Sequence, residues 1–484
     1  MLDRKGYEEK LQKAREEQIN EITEYLSVYL RKNAAIREMP VWSPMDEEIE
    51  KKISSIPIPR HGRAPREVAD ELVENVFERA MLIQHPKFFS FVTSGVSPYS
   101  LAGAVLSDIY NLNLAGYEIS PGAAIIEEKL IKWMGSRAGF PDTCGGLFTS
   151  GGSLSNLTGC IAARNSILAE EEYAVATAYL SDQAHSSVRK GLKLMGLRKD
   201  QINIIPSDDN FAIRMDLLEQ AIEADIAAGK RPFLLIGTVG TTNTGSIDPM
   251  RELAALRDRY GMWMHIDGAF GGSILFSDIY KHLASGIELA DSLSWDLHKW
   301  AMQGYSCSAL IARDKNNLIT TYAEHPEYLE DIINTEHNDG WDLGIEMSRP
   351  ARCLKLWFTV QAMGTDLLSD VIDYAFFNAN VARRELESRE NWQLTSEPCC
   401  GTLTFRYAPA SIDSSRYDEL NAEISRRIIE EGKAYIVTTM IKNMRVLRLC
   451  LINGNTNDDD VRSAVAELDE IARRIEREWL SQNI

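Results

Sequence analysis

Between residues 174 and 312 the hydrophobic positions fall into short runs separated by longer amphipathic stretches. Apolar runs at 174–181, 202–206, 233–240, 262–269 and 307–312 predict strands. Segments 153–169, 213–228 and 249–260 show the three-to-four-residue recurrence of helices buried along one side. Gly229 stands just past the second of these helices, where a left-handed closing residue belongs. Alternating strands and helices predict an α/β fold, a parallel sheet covered by helices. In such sheets ligands sit at the carboxyl ends of the strands.

The flanks follow other patterns. Residues 1–82 read as helical, with Ile22, Leu26 and Leu30 recurring every four residues, as do Val68, Leu72 and Val76. Between them, Ile56-Pro57-Ile58-Pro59-Arg60-His61-Gly62 must be extended or turned. Such an arm has no core of its own and is expected to pack on something. Residues 319–347 carry much charge and little pattern, the mark of a functional or mobile connection. Residues 351–385 predict one long helix, and 393–484 alternate strands with helices as a smaller α+β unit. The expected division is an arm at 1–84, a large domain at 85–365 and a small domain at 366–484.

Composition narrows the function. The 484 residues are 44% hydrophobic and 25% charged, ordinary for a globular protein, with a net charge of −19. That charge argues against a nucleic-acid surface, which needs a basic patch. No apolar run approaches the roughly 18–20 residues that span a bilayer, and the amino terminus lacks the apolar core of a secretory signal. Seven scattered cysteines, with no paired CxxC motifs, fit a reduced cytoplasmic setting and no metal site.

Five stretches carry candidate chemistry. In Ser294-Trp295-Asp296-Leu297-His298-Lys299-Trp300 a lysine stands between aromatics; its amine can serve as a Schiff-base nucleophile, or its stem can simply pack on a tryptophan. Asp267 ends an apolar strand beside Gly268 and Ala269, as a partner for a protonated ring nitrogen or as a turn-opening residue. Ser150-Gly151-Gly152-Ser153-Leu154 leads into a helix whose free N–H groups suit a phosphate, though it is neither a Walker loop nor GxGxxG. His185 follows another strand end and is either a ring-stacking group or a structural histidine. Gly240-Thr241-Thr242-Asn243-Thr244-Gly245 supplies hydroxyls, or only a polar turn. Taken singly, each has a plainer structural role. Together they fall in one order along a βα scaffold, with His185, the Thr242 turn and Asp267 at or just beyond the ends of predicted strands, which points to one cofactor pocket.

These residues resemble the fold-type I pyridoxal-phosphate (PLP) enzymes, of the aspartate-aminotransferase-like architecture. They are most similar to the group II amino-acid decarboxylases, in particular the bacterial tryptophan and aromatic-L-amino-acid decarboxylases. The resemblance rests on the HxDxA motif at His265–Ala269 and on "HKW" about thirty residues later. It rests also on "HPKFFSF" at 85–91, "SGGSLSN", "DQAHSS", "GTTNTGSIDP" and "RPARCLKLW" at 349–357, and covers residue 57 onward. It implies a large domain with a mostly parallel seven-stranded sheet, a small carboxyl-terminal α+β domain and a helical arm wrapped on a partner in an obligate homodimer.

The resemblance also implies roles. Lys299 would hold PLP covalently, Asp267 would pair with its ring nitrogen, Ala269 would lie under the ring and His185 would stack on it. Gly152, Ser153 and Leu154, with His298 and Ser294, would hold the phosphate end, and Thr242 would lie near the ring. Phe91, Ser94, Asn113 and Trp341 would contact the amino-acid substrate, with Phe88 and Phe89 helping to form an apolar pocket. Family members carry a tyrosine in the mobile loop to protonate the substrate's α-carbon. None occurs here between 329 and 348, which leaves Tyr328 and His337 as candidates. Members lacking that tyrosine can divert to an aldehyde. The activity implied is decarboxylation of an aromatic amino acid, tryptophan before phenylalanine or tyrosine. Three alternatives stay open: an aldehyde synthase, a decarboxylase for an acidic amino acid such as glutamate, using Arg349 or Arg352, and a non-catalytic binding protein on the same scaffold.

Overall fold

The computed structural model describes residues 4–324, 337 and 339–482. Its centre is a seven-stranded sheet formed by β1 (Gly145–Thr149), β2 (Ala176–Ser181), β3 (Ile202–Ile205), β4 (Arg231–Thr238), β5 (Trp263–Asp267), β6 (Ser292–Asp296) and β7 (Ser308–Ala312). The order is β1-β7-β6-β5-β4-β2-β3. Only β7 runs against its neighbours, pairing antiparallel with β1 and β6. Helices cover both faces, so successive side chains along one strand enter different cores. Tyr179 and Leu235 join the main cluster, whereas Ala178, Leu180, Leu234 and Ile236 join the cluster behind it. Burial on both faces explains the near-continuous apolar runs.

Two strands escaped the sequence pattern. In β1 two glycines open the run; a Cβ on Gly146 would lie 1.9 Å from the Leu310 carbonyl oxygen, so the close approach of β7 requires glycine. In β6 the polar residues Ser292, Ser294 and Asp296 alternate with buried Leu293 and Trp295. The expected helix over 351–385 is two helices, Cys353–Met363 and Thr365–Glu387, separated at Gly364 with φ of 81°.

A second sheet, β8 (Trp392–Leu394), β9 (Thr402–Tyr407), β10 (Thr438–Ile441) and β11 (Met444–Cys450), is ordered β10-β11-β9-β8 and entirely antiparallel. It packs with the helices Tyr417–Glu430 and Asp458–Gln482 around a separate core. The helix Thr365–Glu387 belongs to both cores: Leu368, Ile372, Ala375 and Phe376 enter the main one, Ala379, Val381, Ala382 and Leu386 the other.

The amino-terminal segment is helical at Arg4–Ala34, Glu47–Ser55 and Pro65–Leu72, with the proline-rich stretch between the last two helices non-helical. Leu26, Leu30 and Leu72 on its periodic faces are exposed. No helix among the described residues is long and apolar enough to cross a membrane.

Candidate active site

Strand register brings the chemistry to one edge. Thr238 pairs with Asp267, Asp267 with Ser294, and Asp296 with Ser308. The carboxyl ends of β4, β5 and β6 are therefore level, and the loops after them rim a cleft of about 570 Å³. Gly151, Gly152, Ser153, His185, Thr242, Asp267, Ala269, His298 and Lys299 line it together. Residues more than a hundred positions apart thus converge on the edge where parallel sheets place ligands.

Lys299 Nζ lies 2.9 Å from Asp296 Oδ2. Burial by itself would lower the lysine's pKa, but the Asp296 and Asp267 carboxylates outweigh it and hold the ammonium above its ordinary value. The flanking tryptophans do not enclose the amine. Trp295 and Trp300 are fully buried in the main core and line no part of the cleft. They fix the backbone and leave the amine among polar groups.

Asp267 is 4% exposed, and its Oδ1 accepts the Ala269 N–H at 3.1 Å. Two residues earlier, burial drives His265 down to about 3, so its ring is neutral. Its Nδ1 lies 2.7 Å from Ser292 Oγ and its Nε2 2.9 Å from Asn156 Oδ1. This buried chain ties β5 to β6 and to the helix Gly152–Ile167.

At the start of that helix, the Gly152 and Ser153 N–H groups have no earlier carbonyl within the helix to receive them. Leu154 differs: its N–H donates to the Gly151 carbonyl at 2.9 Å, and its side chain does not line the cleft. His298 Nδ1 lies 3.0 Å from the Cys307 carbonyl oxygen, and burial keeps the ring below its ordinary pKa. His185 caps the helix Ser186–Leu194, with Nδ1 2.8 Å from Ser187 Oγ and its ring at the open side.

The turn after β4 is fastened by Asp248, whose Oδ1 accepts the Ile213 N–H and Oδ2 the Thr238 N–H, both at 2.8 Å. Burial raises this carboxyl from 3.8 to about 6 against the pull of those bonds. The folded protein thus binds more protons than the unfolded chain within that window, and stability falls as pH rises from 3.8 to about 6. Asp248→Asn cannot ionise and is expected to lack that part of the slope. Urea midpoints of both proteins across the window check this, and parallel curves sink it.

Several expected residues lie elsewhere in the chain. Ser294 is fully buried with no hydrogen-bond partner for its Oγ, and Asp296, two residues on, takes the position facing the cleft. Ser94 is also buried and outside the cleft lining. Asn113 is a structural tie, its Oδ1 accepting the Arg349 N–H at 3.2 Å. Trp341 is buried against Gly116, and its backbone N–H donates to the Ala115 carbonyl at 3.0 Å. Phe88 stacks on Tyr435 at 4.8 Å and Phe89 enters the smaller core, so of the aromatics expected to line the pocket only Phe91 does so. His337 stacks on Tyr117 at 4.0 Å, away from Lys299. Tyr328 lies outside the described residues.

Four residues went unassigned in the sequence. Asp296 and Asn156 sit inside quoted motifs, and strand alternation would have turned Asp296 to the face of Ser294 and Ser292. Tyr305 lines the cleft with its ring 4.7 Å from that of His298. Arg448 is buried; its Nη1 donates to the Phe91 carbonyl at 2.7 Å and its Nε to that of Asn243 at 3.2 Å, while Nη2 has no partner. No local signal marks the last two.

The cleft fits PLP. A Cβ on Gly152 would lie 2.9 Å from both the Ala269 Cβ and Asp296 Oδ2, so glycine keeps open the space between the helix start and the strand ends. An amine, a carboxylate for a ring nitrogen and free N–H groups for a phosphate surround that space. Fold and site together define a PLP-dependent α/β enzyme.

The family model described as the pyridoxal-dependent decarboxylase conserved domain matches residues 51–408. The aromatic-L-amino-acid decarboxylase of Bacillus atrophaeus is 32% identical over 444 residues, covering 91% of this chain and 92% of that one. The cysteine sulfinic acid decarboxylase of Homo sapiens is 30% identical over 403 residues, covering 80% and 81%. The crystal structure of Oryza sativa TDC with PLP and tryptamine superposes with a TM-score of 0.89 at 24% identity, covering 96% and 98%. The chain belongs to the pyridoxal-dependent decarboxylase family. It is a PLP-dependent carboxy-lyase acting on an amino acid.

Proposed function

We propose that the substrate is an aromatic L-amino acid, tryptophan before phenylalanine or tyrosine, released as the arylalkylamine and CO₂. The observation that carries this reading is the fate of the arginines. Arg349 is locked in a buried two-pronged pair with Glu127, both bonds 2.6 Å, and Arg352 in another with Glu346, both 2.8 Å. Neither is left for the second carboxylate of an acidic substrate. Arg448 bonds the carbonyl of the cleft-lining Phe91 and adds positive charge behind that wall, which favours the one carboxylate that every amino acid carries. Ile83, Phe91, Val92 and Phe270 give the cleft apolar wall.

PLP, when bound, supplies the electron sink for the pair left by the departing carboxylate. The chain does the rest. Gly152 and Ser153 N–H groups and His298 offer the phosphate contacts, Asp267 the carboxylate that keeps a ring nitrogen protonated, and His185 a flat face at the mouth. Lys299 Nζ, held protonated by Asp296, carries a proton into the cleft. The apolar wall keeps water from the reacting atoms.

The working unit in this reading is a homodimer. Its support is the exposed apolar face of the helix Pro98–Ile109, where Leu101, Val105, Leu106 and Ile109 stand in solvent, together with Leu26 and Leu30 of the arm. Seven free cysteines accord with a cytoplasmic enzyme. The test is turnover of tryptophan, phenylalanine, tyrosine and glutamate by the PLP-loaded enzyme, with CO₂, amine and oxygen followed together. Amine equal to CO₂ without oxygen loss, fastest on tryptophan, is expected. Preference for glutamate overturns the arginine reasoning, and oxygen uptake with aldehyde makes the enzyme an aldehyde synthase.

A further inference from the structure

The smaller sheet is entered through two adjacent thiols. Cys399 N–H donates to the Thr402 carbonyl at 2.9 Å and Thr402 N–H returns to that of Cys399 at 2.8 Å. Between them, Cys400 and Gly401 take φ of 49° and 66°, the tight two-residue hairpin turn. The two Sγ atoms are 3.9 Å apart. Cys399 is half-buried and every other cysteine is buried, so a reagent from solvent meets Cys399 first. The hydrogen bond from Cys400 holds the Cys399 thiol below its ordinary pKa, whereas burial pushes Cys400 well above it. The more exposed and more acidic thiol thus has a second sulfur 3.9 Å away, close enough to resolve an oxidised Cys399.

We infer that Cys399 and Cys400 form a modification site at which a hydroperoxide closes a reversible vicinal disulfide. The Cys399 thiolate attacks the peroxide's O–O bond, becoming a sulfenic acid as the alkoxide leaves and takes a proton. The Cys400 sulfur then displaces hydroxide from the Cys399 sulfur, its own proton leaving as water. Two thiols are oxidised and one peroxide is reduced. Adjacent Cα atoms are about 3.8 Å apart, below the roughly 4.4–6.8 Å of ordinary disulfides. The ring is therefore strained and readily reduced, as labile disulfides are.

The site reaches the cofactor cleft through one contact. Cys399's carbonyl oxygen sits where a Cβ on Gly245 would be only 2.2 Å away. Gly245 belongs to the same turn as Thr242, which lines the cleft. Cys400 itself is part of the main core and not of the smaller one. Closing the ring reshapes the hairpin turn and shifts that carbonyl, so oxidation weakens PLP binding. This holds whichever amino acid is the substrate.

The test treats the PLP-loaded enzyme with one equivalent of tert-butyl hydroperoxide. Native thiols are counted, the protease digest is mapped by mass, and PLP affinity is read from its visible absorption. Expected are loss of two thiols, a peptide holding Cys399 and Cys400 lighter by two hydrogens, and PLP binding weakened several-fold, all restored by dithiothreitol. In Cys400→Ser the sulfenic acid on Cys399 should persist and be trapped by dimedone. A link between Cys400 and Cys450, oxidation at another cysteine, or no thiol loss overturns the site. A closed ring with unchanged PLP affinity overturns its coupling to the cleft.

Discussion

Lys299→Ala is expected to cut decarboxylation by on the order of 10⁴-fold, the scale seen when a group at the centre of the chemistry is deleted. The cause is local. Nζ is the one ammonium lining the cleft among the described residues, and Asp296 holds it at 2.9 Å. Borohydride treatment should attach PLP to the wild-type chain and not to the variant. Turnover within tenfold of wild type, or a PLP adduct on another lysine, would remove Lys299 from its assigned role. The variant should remain folded, because Trp295 and Trp300, and not Lys299, anchor this segment in the main core.

The largest stability effect should come from a residue that touches no substrate. Glu127→Ala is expected to cost about 3–5 kcal/mol, because it strands a buried guanidinium. Arg349 and Glu127 side chains are 1% and 7% exposed, and Glu127 Oε1 also accepts the Phe148 N–H at 2.9 Å. One substitution therefore leaves Arg349 unpaired and a strand of the main sheet without an acceptor. The urea midpoint of the holoenzyme reads the loss. A change no greater than that of an exposed glutamate, such as Glu47→Ala, would show that water or a shifted side chain satisfies Arg349.

Where a strand was apolar on both faces, as in β2 and β4, the sequence already marked it. β1 and β6 were hidden for physical reasons: glycine admits a neighbouring strand in one, and buried serines and an aspartate break the apolar run in the other, the aspartate alone facing the cleft. Asp267 and His185 were legible because they stand at the ends of apolar strands that the sequence already marked, and Lys299 because it lies between two tryptophans beside a histidine. Asn113, Trp341 and Ser94 were not, because their surroundings depend on long-range packing that no periodicity encodes. Asn113 meets Arg349 across more than two hundred residues. Arg448 illustrates the converse: it stands in a strand of the smaller sheet, yet its guanidinium reaches back to Phe91.

The helix Thr365–Glu387 bears on how such chains can recombine. Its first half is cut to fit the main core and its second half the smaller one. A chimaera joined to a relative at Gly364 would seat a foreign Leu368–Phe376 face on the native main core, whereas one joined between Phe376 and Ala379 leaves each half of the helix with its own core. A crossover after Leu386 keeps both helix faces with their native residues but gives Ala379–Leu386 a foreign partner core. Exchange of the carboxyl-terminal portion between relatives is thereby directed to one place, the short step between Phe376 and Ala379 where the helix passes from one core to the other.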